Sequence, residues 1–141
     1  MKKQWLIMVV VLVIGLIGGY FINNLRGNGN NGKDVKDVSS KFIQSITKGD
    51  IDGTYAAGSA VYQARNSKDY IKKVSESVKS DTVKIDAEEV YFGSGDNSKE
   101  AIYLATANNL PKNSLGNTFG NFVIRLVQED GTWKVDSSQV Y

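Results

Sequence analysis

Cysteine and histidine are both absent from this 141-residue chain, proline occurs once, at Pro111, and no acidic residue precedes Asp34. Without cysteine there are no disulfides, no thiol catalysis and no lipid on an N-terminal cysteine. Without histidine the commonest general base and the commonest metal ligand are missing. Positive charge is also scarce where nucleic acid would need it. The formal net charge is +2, and Lys2, Lys3, Arg26 and Lys33 supply four of the seventeen basic residues. From Asp34 onward thirteen basic residues face fifteen acidic ones, a net −2. A nucleic-acid-binding domain requires a basic footprint, so no nucleic-acid partner is expected.

What is present first is an uncharged run from Trp5 to Ile22, preceded by Met1-Lys2-Lys3-Gln4. Its eighteen residues reach about 27 Å as a helix, against a hydrocarbon core of about 30 Å. Leu, Ile, Val and Phe fill twelve of these positions, which favours insertion by about 4–7 kcal/mol. Trp5 at one end and Tyr20 with Phe21 at the other stand where aromatic belts form. A cleaved signal peptide has a shorter apolar core, about 7–15 residues, and an A-x-A-like site after it. Neither feature fits, so a retained single-pass transmembrane anchor is expected. Lys2, Lys3 and the amino terminus place the nearby positive charge before the span. The N-terminus is therefore expected in the cytoplasm and the C-terminal domain outside the cell membrane.

Residues 1–22 thus read as a cytoplasmic stub and anchor. Residues 23–33, with Gly27, Gly29 and Gly32 among five Asn, read as a flexible linker. Residues 34–141 read as one domain large enough for a real core. Its first half is helical in period. Val35, Val38, Phe42, Ile43 and Ile46 form one stripe between Asp34 and Lys48, and Gly49 is a stop. Asp50 caps a short second helix through Ile51, Tyr55 and Ala56, whereas Ala60-Val61-Tyr62 is ambiguous. Ser67 caps a third helix with Tyr70, Ile71, Val74 and Val78 on one face.

Past Ser80 the period becomes two. Val83, Ile85 and Ala87 alternate with charges, and the phase slips at Glu88-Glu89, where a bulge is expected. Gly93 to Asn97 is a turn, and strands follow at about Glu100–Ala107, Thr118–Glu129 and Thr132–Val140. Phe122, Ile124 and Leu126 share one face of the third strand, Asp130-Gly131 is a hairpin turn, and Trp133 and Val135 face inward on the last strand. Helices followed by a strand meander indicate an α+β fold, with a curved antiparallel sheet covering the long helix.

Two helices joined through Lys48-Gly49-Asp50, a third helix, and a meander ending in Asp130-Gly131-Thr132-Trp133-Lys134-Val135 resemble the NTF2-like (cystatin-like α+β cone) superfamily over about Asp34 to Tyr141. Small membrane-anchored bacterial domains of unknown function share this pattern. The resemblance implies about three helices packed on a curved sheet of about four strands, with a conical pocket. It also implies a range of activities, because the superfamily holds isomerases, dehydratases, transport factors and scaffolds. The assembly factors of type IV secretion systems place a similar domain after one span.

Asp50 and Asp52 are explained by helix capping, and Asp86, Glu88 and Glu89 by a solvated strand face. Asp96-Asn97-Ser98 is explained by its turn. No catalytic residue, metal site or cofactor is assigned. The candidate ligand-binding residues are the aromatics Tyr55, Tyr62, Tyr91, Tyr103 and Trp133, whose rings and polar tips suit a pocket or a protein contact. The expected function is a membrane-tethered, extracytoplasmic, non-enzymatic binding or assembly module with an envelope protein partner, monomeric or weakly dimeric. The alternatives are a small-ligand-binding or isomerase-like enzyme using the cone pocket, and a secretion or conjugation component. A pilin-like reading is disfavoured because Trp5–Ile22 lacks the glutamate such a helix carries.

Overall fold

The computed structural model describes residues 29–94 and 98–141. The run Trp5–Ile22, the first part of the linker and the last three residues of the Gly93–Asn97 turn lie outside the described residues. Among the described residues no helix is long and apolar enough to cross a membrane.

The described residues form an α+β domain of four helices followed by one four-stranded antiparallel sheet in the order of the sequence. Helix α1 spans Gly29–Lys48. It starts five residues before Asp34, within the stretch read as linker. Glycine and asparagine are poor helix formers, so packing decides here. Gly32 sits where an added Cβ would lie 3.9 Å from the Phe92 ring. The apolar stripe of α1 follows the expected spacing, with Val35, Phe42, Ile43 and Ile46 buried and Val38 partly so. Gly49 ends the helix at φ +81°, the left-handed conformation glycine adopts without cost.

Helix α2 (Ile51–Ala56) is capped by Asp50, whose side chain accepts from the Gly53 N–H at 2.9 Å. The ambiguous segment is a helix of its own, α3 (Ala60–Arg65), capped by Ser59. Four helices therefore stand where about three were expected. Ser59 is the cause, since its hydroxyl accepts from the Tyr62 N–H at 3.0 Å and starts a new turn. Helix α4 (Lys68–Val78) is capped by Ser67 and buries Ile71, Ser75 and Val78. Tyr70, expected on that face, is exposed, because the buried arc is centred one residue further on.

Strands β1 (Lys84–Phe92), β2 (Glu100–Asn108), β3 (Gly120–Glu129) and β4 (Thr132–Val140) pair consecutively. The helices cover one face, onto which Tyr103, Phe122, Ile124, Leu126, Trp133 and Val135 project. Curvature brings Phe92 of β1 and Trp133 of β4, on opposite edges of the sheet, to 5.9 Å between ring centroids. Asp130 and Gly131 close the last hairpin at φ +50° and +78°, as a two-residue primed turn requires.

The sheet is irregular at two points. In β1 the register shifts between Ile85 and Ala87, two residues before the expected slip. Asp86, Glu88 and Glu89 are all exposed, as expected of solvated acids, but the shift puts Glu88 on the helix side of β1, opposite Glu89. Glu88 accepts a hydrogen bond from the Tyr103 hydroxyl at 2.8 Å and lies 3.3 Å from the Lys36 ammonium. In β4 the register shifts so that Leu126 pairs with Val135 and Arg125 with Ser137, leaving Asp136 as the extra residue.

Candidate binding cavity

The second bulge builds the most distinctive site of the domain. Alternation along β4 would send Asp136 to the open face of the sheet. The extra residue instead leaves it 8% exposed, the single charged side chain among the described residues that is buried. Burying a carboxylate is costly unless it is paired and hydrogen-bonded. Asp136 has both kinds of partner. The Ser59 hydroxyl donates to Oδ1 at 3.1 Å, and Arg125 Nη1 lies 3.4 Å from Oδ2. Arg125 also holds Glu100, at 3.0 Å through Nη2.

Ser59 does three jobs at once. It caps α3, it supports Asp136, and its backbone N–H donates to the Val135 carbonyl at 2.7 Å. The Val135 N–H in turn donates to Ala57 O at 2.9 Å. These bonds cover part of the β4 edge, which would otherwise offer unpaired backbone groups. They also hold the end of α2 and the start of α3 beside the bulge.

A cavity of about 220 Å³ opens between these elements. Ile46, Ile71 and Val74 form its apolar side, and the Tyr62 and Tyr70 rings continue that surface. Arg65, Asn66, Asp136, Ser137 and Ser138 supply its polar groups. Tyr62 is packed edge-on against Phe42, with ring centroids 5.9 Å apart. Burial raises its phenol above the ordinary value, a hydrogen bond with Ser138 opposes the rise, and nearby Tyr70 adds slightly to it. Asn66 donates through Nδ2 to the Tyr62 carbonyl at 2.9 Å, which leaves its amide oxygen for a further donor. Among the described residues Arg65 makes no salt bridge.

The five candidate aromatics do not converge. Only Tyr62 lines the cavity. Tyr103 and Trp133 are core residues, at 0% and 4% exposure. Burial, first of all, raises the Tyr103 phenol; a hydrogen bond to Ser40 opposes this, and Glu88 adds to the rise. Tyr91 is half-buried on β1 and hydrogen-bonds Glu89. Tyr55 lies under the Lys68 ammonium, 5.4 Å from ring centre to Nζ.

Asp136 is a buried acid that the reading of the sequence did not single out. One signal for it exists in the sequence. After Trp133 and Val135 the inward parity calls for an apolar residue at 137, yet Asp136-Ser137-Ser138 is wholly polar. Such a break in phase marks a bulge.

No family model matches the chain, and no curated protein is found that matches it. Among solved structures it is similar to a function-unknown protein from Mycobacterium tuberculosis, at 12% identity and a TM-score of 0.43, over 77% of this chain and 69% of that one.

Proposed function

We propose that this chain is a membrane-tethered binding module whose domain works outside the cytoplasmic membrane and does not turn over a substrate. The anchor in this reading is Trp5–Ile22, and the charge bias of Lys2 and Lys3 sets its orientation. The domain is read as an NTF2-like cone, because a long helix lies along the covered face of a curved meander and a cavity opens beside it.

The observation that carries the binding role is the state of Asp136. It is the one buried acid at the cavity, and its charge is already met by Arg125 and its Oδ1 by Ser59. Taking a proton from a substrate there would give up the ion pair. Accepting a hydrogen bond would not. Recognition is therefore the role that the geometry favours, with aromatic side chains at the rim as contact points.

A photo-crosslinking residue in place of Tyr70, in the full chain in its own membrane, tests the proposal. A specific extracytoplasmic adduct is expected, with a yield that falls when residues 1–22 are removed. External protease should digest the domain in spheroplasts. Full protection from protease, or a turnover abolished by Asp136→Asn, overturns the reading.

A further inference from the structure

The geometry points to a small polyhydroxylated anion, a sugar acid or sugar phosphate of one ring, as the ligand of the cavity between Tyr62, Arg65, Tyr70 and Asp136. This inference rests on the binding role proposed above and names its ligand class.

Size is the first constraint. The cavity, about 220 Å³, is smaller than the roughly 300–1,000 Å³ that holds drug-sized ligands. One sugar ring is on its scale, and a peptide is not.

Charge is the second constraint. The two charged groups at the cavity are not equivalent. Arg65 is exposed and has no ion-pair partner among the described residues, so it attracts an anion. Asp136 lies 3.4 Å from Arg125, which it shares with Glu100 at 3.0 Å. A neutral hydroxyl still finds lone pairs there, because Ser59 and Arg125 leave part of its acceptor capacity unused. The site therefore suits a ligand with negative charge at one end, met by Arg65, and hydroxyl donors at the other, met by Asp136.

Surface chemistry is the third. A pyranose has an apolar C–H face and a rim of hydroxyls that donate and accept. Tyr70, 55% exposed, offers an open ring for the C–H face, and Tyr62 continues it. The rim meets acceptors at Asp136 and the Asn66 amide oxygen, and hydroxyls able to do both at Ser137 and Ser138. Arg65 is a donor only and meets the anionic group.

The test is a titration of the full chain in detergent micelles with D-glucuronate, D-glucose 6-phosphate and D-glucose, followed by isothermal calorimetry and by amide shifts of residues lining the cavity. Glucuronate or the sugar phosphate is expected to bind about tenfold more tightly than glucose. The carboxylate and phosphate arms show which anion Arg65 prefers. Arg65→Gln should bring the anionic sugar to the level of glucose. Tyr70→Ala should weaken all binding several-fold, and Tyr70→Phe should not. Both positions are exposed, so these variants keep the fold, and unchanged shifts elsewhere verify it. The proposal is overturned if no sugar moves the cavity resonances at tens of millimolar, if glucose binds as well as the anions, or if Arg65→Gln changes nothing. Each of these leaves the binding module standing as long as crosslinking from Tyr70 persists, so the two readings fail separately.

Discussion

Asp136→Ala probes the link between bulge and fold, because it removes one carboxylate and leaves two partners behind. Ser59 is fully buried, and its hydroxyl would lose the acceptor it uses at 3.1 Å. An orphaned buried donor costs about 1–3 kcal/mol. Arg125 would lose less. Its side chain is 47% exposed and keeps Glu100 at 3.0 Å, so solvent and that second carboxylate compensate. The sum is about 2 kcal/mol. It falls short of the roughly 3–5 kcal/mol of a fully buried broken pair because one partner is half in water. For a domain of this size that is a drop in Tm of about 8 °C. Near-UV circular dichroism of the full chain in detergent reads it. Ser59→Ala alone adds the loss of a helix cap, about 1 kcal/mol. The double-mutant cycle should then show a coupling of about 1 kcal/mol or more between the two positions. A loss below about 0.5 kcal/mol for Asp136→Ala, or a coupling indistinguishable from zero, would refute the claim that the bulge is held by this pair.

Three further outcomes follow from the packing. Phe42, 1% exposed and edge-on to Tyr62, should cost about 3–5 kcal/mol as Phe42→Ala in denaturant unfolding; a change within experimental error would remove it from the core. Gly58→Ala would put a Cβ 2.3 Å from Tyr62 Cδ1, so the ring must move; a loss of about 1–3 kcal/mol is expected, with shifted cavity resonances, and a neutral result would show that Tyr62 is free to swing. The raised phenols of Tyr103 and Tyr62 stay protonated in the folded state after the unfolded chain has begun to ionise near 10.0. Stability is therefore full below that pH and falls as pH rises above it; Tyr103→Phe should flatten the alkaline limb, and an identical limb would assign it to other groups.

Much of the architecture was legible in local pattern, for a physical reason. A face covered by other elements must be apolar, and backbone geometry turns that need into a period. The stripe of α1, the alternation of Phe122, Ile124 and Leu126, and the glycine and aspartate of the last turn are all local requirements. The length and apolarity of Trp5–Ile22 are likewise properties of the sequence alone. The caps were legible too, at Asp50 and Ser67, because a cap bonds a backbone N–H only three residues away.

The cavity was not legible, because nothing local specifies it. It joins residues 46, 62–74 and 136–138, brought together by sheet order and helix packing. Burial of Asp136 depends on pairing register between β3 and β4, and one shifted residue reverses which face a side chain meets. The register shift in β1 likewise sets which side of the sheet Glu88 meets, although Glu88 stays exposed. Tyr70 shows the limit from the other side. Its helical spacing placed it with Ile71 and Val74, yet packing against α1 buries an arc that leaves it in solvent. Sequence alone determined the apolar run, the strands and most of the helices, since those follow from periodic burial and short-range bonds, but not the start of α1 or the existence of α3. Tertiary structure alone decided which acid is buried, which tyrosine stands free and where a ligand could sit, since these depend on register and on contacts between residues more than sixty positions apart, such as Ser59 and Asp136.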